Sequence, residues 1–430
     1  MRYEGFRSWR ELADSIENSA ERDEDAVSRA RALLRAGIIK EERLGEQAEA
    51  NRHYKDAFRA DKDCLEALCR ARRLFRLRGR LDDRLTQVFE IEFKVHKKAA
   101  RPGAPSAAAA AEAHAEFGWV QLALGAEAKA LSAFRQALYY VPGHPVSGAI
   151  AADLQIEEPD IAATARLRDD AEALIKTDRG AAALLLIRAA VMTLRADGPP
   201  ADARRDLVRA AALDPSDDIA VLLVEKRVLG DEPDASQLER LYREVIDATR
   251  DPSDRAALAH GLAHRLLSQV ENPSAAVPLH EVAFELHPDD ERTFDYLLTF
   301  YRAKGERTRA RDVAVRAASA AVEPDAKAFY LAAGSLALVR DLDDGAGAAA
   351  IGAMLRAIDS SHPALLELSA EGVDLNAGKA PSVSAAETET APSPAPASVS
   401  AAEKETPSMT EVEPRHRRRR HGLRRRPGFH

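Results

Sequence analysis

One phrase returns along this chain at a nearly fixed interval: ALDPSD at 212–217, TRDPSD at 249–254, ELHPDD at 285–290 and a looser AVEPDA at 321–326. Each copy couples a proline to one or more acids, and successive copies lie 36 or 37 residues apart. Proline cannot extend the hydrogen-bond ladder of a helix, and carboxylates satisfy the free N–H groups that open one. A period of that length marks a helical array in which each unit buries its face only against its neighbours. The phrase is therefore expected to be punctuation: the proline stops one helix, and the acids after it cap the next.

The intervening sequence agrees. Over residues 1–376 apolar residues recur at three- and four-residue spacing, broken every 12–16 residues by Gly, Pro or an acid-rich turn. Apolar residues make up 46% of the chain and aromatics only 5%, with alanine abundant. That balance suits helices packed closely through small side chains better than a β-sandwich. The expected fold is all-α, a solenoid of antiparallel helix pairs. Residues 1–100 read as N-terminal repeat-like helices, 101–113 (RPGAPSAAAAAEA) as a linker or irregular turn, and 114–376 as the main solenoid with a capping helix at 364–375. Residues 377–414 are Ala, Ser, Thr, Pro and Glu with almost nothing to bury, the composition of a disordered segment. Residues 415–430 (RHRRRRHGLRRRPGFH) form a basic tail.

Charge is divided unevenly. From Ala377 onward two Lys and eight Arg face six Glu, a balance of +4, so the remainder of this −8 chain carries −12. An acidic body with a basic end is not a groove built for nucleic acid along its length. The two cysteines, Cys64 and Cys69, are five apart on one expected helix and have no second pair to complete a zinc site, so they read as core thiols. The charged start MRYEGFRSWRELADSIENS lacks the apolar run of a signal peptide. Even AAALLLIRAAVMTLRA at 181–196 is broken by Arg188 and Arg195, too short an apolar run to span a bilayer. A soluble, cytoplasmic protein is expected.

The repeat unit is clearest in HAEFGWVQLALGAEAKALSAFRQALYYVPGHP at 114–145. One helix carries Phe117 and Gly118, Gly125 makes the turn, a second helix carries Ala130, Phe134 and Ala137, and Pro142 closes the unit. The register recurs with Gly198, Ala203, Leu207, Ala210 and Pro215, with Ala276, His280, Ala283 and Pro288, and with Leu297, Tyr301, Gly305, Ala310, Ala317 and Pro324. Gly45, followed by Ala50, Tyr54 and Ala57, and a last unit at Ala350, Met354, Ala357 and Pro363 extend it. This pattern resembles the tetratricopeptide repeat family. Trp119 falls five positions later than that family's helix A tryptophan, and the Lys and Asn set of its two-carboxylate clamp is not found.

The resemblance implies a helical superhelix whose concave groove, lined by the first helix of each pair, holds a partner peptide. Carried over position by position, the groove-facing residues include Arg73, Arg76, Trp119, Arg188, Arg195, Arg265 and Arg302. Guanidinium forks suit an acidic or carboxylate-bearing peptide, with Trp119 as an aromatic contact; the alternative is an ordinary solvated helix face.

No chemical motif competes with that reading. HGLAH sets His260 and His264 one turn apart, but Gly261 stands where a zinc protease carries its general-base Glu, so packing is the better account. GAGAAAIG at 345–352 lacks the strand and Lys of a phosphate loop and reads as the start of a tightly packed helix. No enzyme activity, metal or cofactor is expected. In the tail, Arg415, Arg417, Arg418, Arg419, Arg420, Arg424, Arg425 and Arg426 form a polyanion-binding run. It could take DNA or RNA by counterion release, an anionic membrane surface, or the acidic body itself. The leading expectation is a non-catalytic scaffold for a protein partner, and the alternative is a nucleic-acid-associated factor that binds through the tail.

Overall fold

A computed structural model describes residues 2–99, 101–270 and 273–375. The basic tail and the Ala/Ser/Pro/Glu-rich segment before it lie outside the described residues. Among those described there is no strand, and twenty α-helices follow one another. The first seven are α1 (Arg2–Arg22), α2 (Ala26–Glu42), α3 (Gln47–Ala60), α4 (Leu65–Leu77), α5 (Asp83–Ala99), α6 (Ala107–Ala123) and α7 (Glu127–Tyr140). Next come α8 (Pro145–Leu154), α9 (Ile161–Leu174), α10 (Arg179–Arg195), α11 (Pro200–Leu213) and α12 (Ile219–Leu223), the last running into a wide π turn at Val224–Leu229. The chain ends with α13 (Ala235–Ala248), α14 (Pro252–Gln269), α15 (Val277–Leu286), α16 (Glu291–Lys304), α17 (Arg307–Ala320), α18 (Pro324–Asp341), α19 (Gly345–Ile358) and α20 (Pro363–Ala370).

Helices adjacent in sequence pack side by side through most of the chain, the arrangement of an all-α solenoid. Short connections force such neighbours to run antiparallel. Gly79, Gly125 and Gly305 take left-handed φ values of 59°, 73° and 72° and end α4, α6 and α16. At each, the next N–H reaches back five residues to close the helix: Arg80 to the Phe75 carbonyl, Ala126 to Gln121 and Glu306 to Tyr301, at 3.2, 2.8 and 2.9 Å. The expected turn glycine Gly198 behaves differently, because Asp197 takes the left-handed conformation there, with φ 51°.

Close approach explains the small residues of the register. A methyl group on Gly118 would lie 2.8 Å from the Phe134 ring, and one on Gly334 would fall onto the Ala314 Cβ. Ala50, Ala57, Ala130, Ala137, Ala203, Ala310 and Ala317 are all fully buried where the helices of a pair cross.

Three local expectations are corrected. Pro252 and Pro324 do not stop the preceding helix; each is the first residue of the following one, where a missing N–H costs nothing and φ is already set. The cap is then the acid before the proline, and Asp251 accepts the Ser253 and Asp254 N–H groups. Pro215 and Pro288 do sit between helices, and there Asp217 caps Ile219 and Asp290 caps Thr293. The linker expected over 101–113 is shorter, because its alanine run is already helical from Ala107. Finally, Cys69 is exposed and Cys64 half-buried, so neither is a core thiol.

The superhelix also touches itself. α4 packs on α14, α6 on α12, and α1 on α18, so elements well over a hundred residues apart meet. Those meetings decide what becomes of the groove.

Candidate functional site

The arginines singled out in the sequence are met by carboxylates of the chain itself, most of them from neighbouring helices and one, Asp218 at Arg76, from far along the chain. Arg265, on α14 and almost fully buried, donates from Nε and Nη2 to both oxygens of Glu225 at 2.7 and 2.6 Å. Its Nη1 reaches Asp218 at 3.1 Å. Asp218 also meets Arg76 of α4 at 3.2 Å, and Arg76 meets Glu116 of α6 at 3.1 Å. Glu116 continues to Arg72 at 2.8 Å, and Arg72 contacts Glu92 of α5, which lies 3.4 Å from His96. One unbroken chain of charge thus runs through α4, α5, α6, the start of α12, the π turn and α14.

The π turn is what places Glu225. Its carboxylate is fully buried and accepts bonds from Arg265, the Tyr242 hydroxyl and Gln269. Such a group survives burial only because every lone pair is occupied. Burial works against the Arg265 charge, but the Glu225 carboxylate outweighs it and holds the guanidinium firmly protonated. Burial likewise opposes ionisation of Asp218, and Arg76 with Arg265 more than compensates, keeping it below the usual carboxylate range. Desolvation pushes its neighbour Asp217 up to about 6 despite Arg76. Tyr242 is driven far up by burial beside Glu225.

The remaining residues singled out in the sequence are also engaged within the chain. Arg188 grips Asp153 with two bonds of 2.7 and 2.9 Å. Arg195 donates to Glu127 at 3.0 Å and to the Asp153 and Ile156 carbonyls at 2.6 and 2.9 Å. The space left beside it, against Leu122 and Arg227, is about 10 Å³, room for one water. Arg73 is half-exposed and lies 3.2 Å from Glu41. Trp119 is no surface contact: it is buried, with its ring edge-on to Phe134 at 5.4 Å between centroids. Arg302 pairs with Asp341 at 2.7 Å and stands apart from the others, at an open recess. The structure therefore brings Arg76 and Arg265 together through Asp218 and Arg188 and Arg195 together at Asp153, and leaves Arg73, Arg302 and Trp119 apart.

The histidines pack, as expected. His260 Nδ1 lies 3.1 Å from the Thr293 hydroxyl, and the His280 ring stacks on Tyr296 at 3.8 Å. Among the described residues no group of His, Cys, Asp or Glu is arranged to hold a metal ion. Burial lowers His260 and His264 to about 4, and His280 further below its usual range. No helix among the described residues is long and apolar enough to cross a membrane.

The recess at Arg302 was not legible in the repeat register. It measures about 180 Å³ and lies where the start of α1 and the end of α2 meet α16. Trp9, Arg10, Arg43, Asp295, Thr299 and Arg302 line it, and the Arg43 guanidinium sits 4.8 Å above the Trp9 ring.

No protein-family model and no curated protein matches this chain.

Proposed function

We propose that this chain is a non-catalytic scaffold of the tetratricopeptide-repeat kind that recruits a protein partner. The observation that carries the reading is the self-contact of the solenoid. Arg76 and Arg265 share Asp218 across turns of the coil, so the array is held as one braced body. A braced solenoid offers a large preformed surface, and a partner then loses little by ordering it. Because the inner arginines are already paired, the partner surface lies outside the tightly filled interior.

The eight tail arginines at 415–430 support a second contact, of electrostatic character, with a polyanion. Both parts are tested in one comparison of the full chain with a chain ended after Pro414. Affinity capture from cell extract, followed by mass spectrometry, is expected to retain the same protein partners in both. Salt-sensitive binding to generic RNA or DNA is expected only with the tail present. Loss of all protein partners on removing the tail would overturn the scaffold reading in favour of a nucleic-acid-associated factor.

A further inference from the structure

Three polar atoms without a hydrogen-bond partner converge on the recess between α1, α2 and α16. They are Trp9 Nε1, Arg302 Nε and Asp295 Oδ1, and each is buried. Buried polar atoms left unpaired are costly, so their collection around one opening of about 180 Å³ points to a ligand that completes them. Arg43 adds a further donor. Its nearest carboxylates, Glu291 and Asp295, are both 3.5 Å away, at the limit of a hydrogen bond. Arg10 and Arg302, by contrast, already hold Glu46 and Asp341.

The charge count selects the ligand. Three guanidiniums face Glu46, Glu291 and Asp341, which leaves the rim close to neutral. Asp295 is only 7% exposed. Burial pushes its carboxyl up to about 8 despite Arg43, with Glu291 and Asp290 on its own helix adding to the shift, so it carries a proton at neutral pH. A donor-rich, nearly neutral recess accommodates one negative charge, while a dianion would leave uncompensated charge beside Asp295.

We infer that this recess binds a single carboxylate group, received by the Arg43 guanidinium, the Trp9 indole N–H and Arg302 Nε. It lies at the seam where the first helices meet α16 and is separate from the inner arginine row. The inference deepens the scaffold reading by giving the chemistry of a partner contact, either an acidic side chain or a chain terminus.

Trp9 and Trp119 are the only tryptophans, so a Trp119→Phe full-length chain reports on the recess alone by fluorescence. The probes are acetyl-Gly-Glu-Gly-amide, with only a side-chain carboxylate, acetyl-Gly-Gly-Gly, with only a terminal one, and inorganic phosphate at matched ionic strength. A saturable response to one or both peptides is expected, and which of them responds identifies the source of the carboxylate. Arg43→Gln should weaken it about tenfold or more, the effect of losing a charge-assisted bond. Asp295→Asn should hold the ligand above about pH 8, where the parent loses it by repulsion. The groups facing Asp295 in that range are Arg43, Glu291, Asp290 and the Tyr330 phenol of α18. No saturable response, an equal response to phosphate, or a response untouched by Arg43→Gln would overturn the assignment. Partner capture by the full chain is read separately, so a failed titration with intact capture refutes the recess and leaves the scaffold standing.

Discussion

Two hydrophobic cores share this solenoid, and they are built differently. The larger runs from Ala50 to Ala283 and the smaller from Val277 to Leu375, dividing at α15. Within the span of the first lie the buried charges Arg72, Glu92, Asp153, Asp206, Glu225 and Arg265. The span of the second is filled by alanine, leucine and aromatic rings such as Phe294, Phe329 and Tyr330, with Asp295 as its buried acid at the recess. The first region folds back on itself, α4 against α14 and α6 against α12, and Arg72, Glu92, Glu225 and Arg265 belong to the charge network that spans those meetings, whereas Asp153 and Asp206 pair with arginines of neighbouring helices. Where helices only stack in sequence, small apolar side chains suffice. Where distant turns must meet in one register, paired charges make a wrong register costly.

The comparison can be broken from its charged side first. Arg265→Met leaves Glu225 buried beside Tyr242 without its cation, and should cost about 3–5 kcal/mol in denaturant unfolding followed by circular dichroism. Arg265→Met with Glu225→Met should recover much of that loss, because the uncompensated charge is gone. In the second core the large effect should come from volume. Leu298→Ala, at a fully buried position, is expected to cost about 2–5 kcal/mol with no dependence on salt. Gly334→Val should cost about 1–3 kcal/mol by driving α18 off Ala314 of α17.

A smaller difference follows from pH. His260, His264 and His280 are held below their ordinary value of 6.5, so the unfolded chain binds protons that the folded one refuses. Their stabilisation is complete above about 6.5 and is lost as pH falls towards about 4. Asp295 acts in the opposite direction. Its carboxyl is raised from 3.8 to about 8, so its contribution is complete below about 3.8 and is lost progressively as pH rises to about 8. Between about pH 4 and 6.5 the two effects oppose each other, and from about 6.5 to 8 that of Asp295 acts alone. Asp295→Asn should therefore remove the fall in melting temperature over about pH 6.5–8 and steepen the rise over about pH 4–6.5. The smallest effect belongs to the outer surface: Val322→Ser, at an 82% exposed position, should stay within about 0.5 kcal/mol of the parent.

Much of the helix pairing was legible in the sequence, because it rests on local chemistry. The register that set Ala130, Phe134 and Ala137 opposite Gly118 is a spacing along one chain segment; Phe134 does meet Gly118, and both alanines are buried. The same register placed Arg76 and Arg265 on inner faces. It could not name their partners, because Asp218 lies 142 residues from Arg76 and 47 from Arg265. A repeat pattern reports which face of a helix is inward; superhelical pitch, summed from many small rotations, decides whether one turn reaches another. Asp218 also illustrates a mixed signal. Asp217, the last acid of the phrase, caps the next helix, while Asp218 beside it turns inward to two arginines. Trp9 and Asp295 of the recess carried no signal at all, since their meeting depends on the same closure.

The bracing of distant turns is the claim on which both the closed interior and the scaffold reading depend. A double-mutant cycle on Arg76→Gln and Asp218→Asn, read by chemical denaturation, tests it directly, because these residues meet only if the coil folds back on itself. The structure predicts a coupling energy of about 1–3 kcal/mol, whereas additivity within about 0.3 kcal/mol would show that the two turns do not touch.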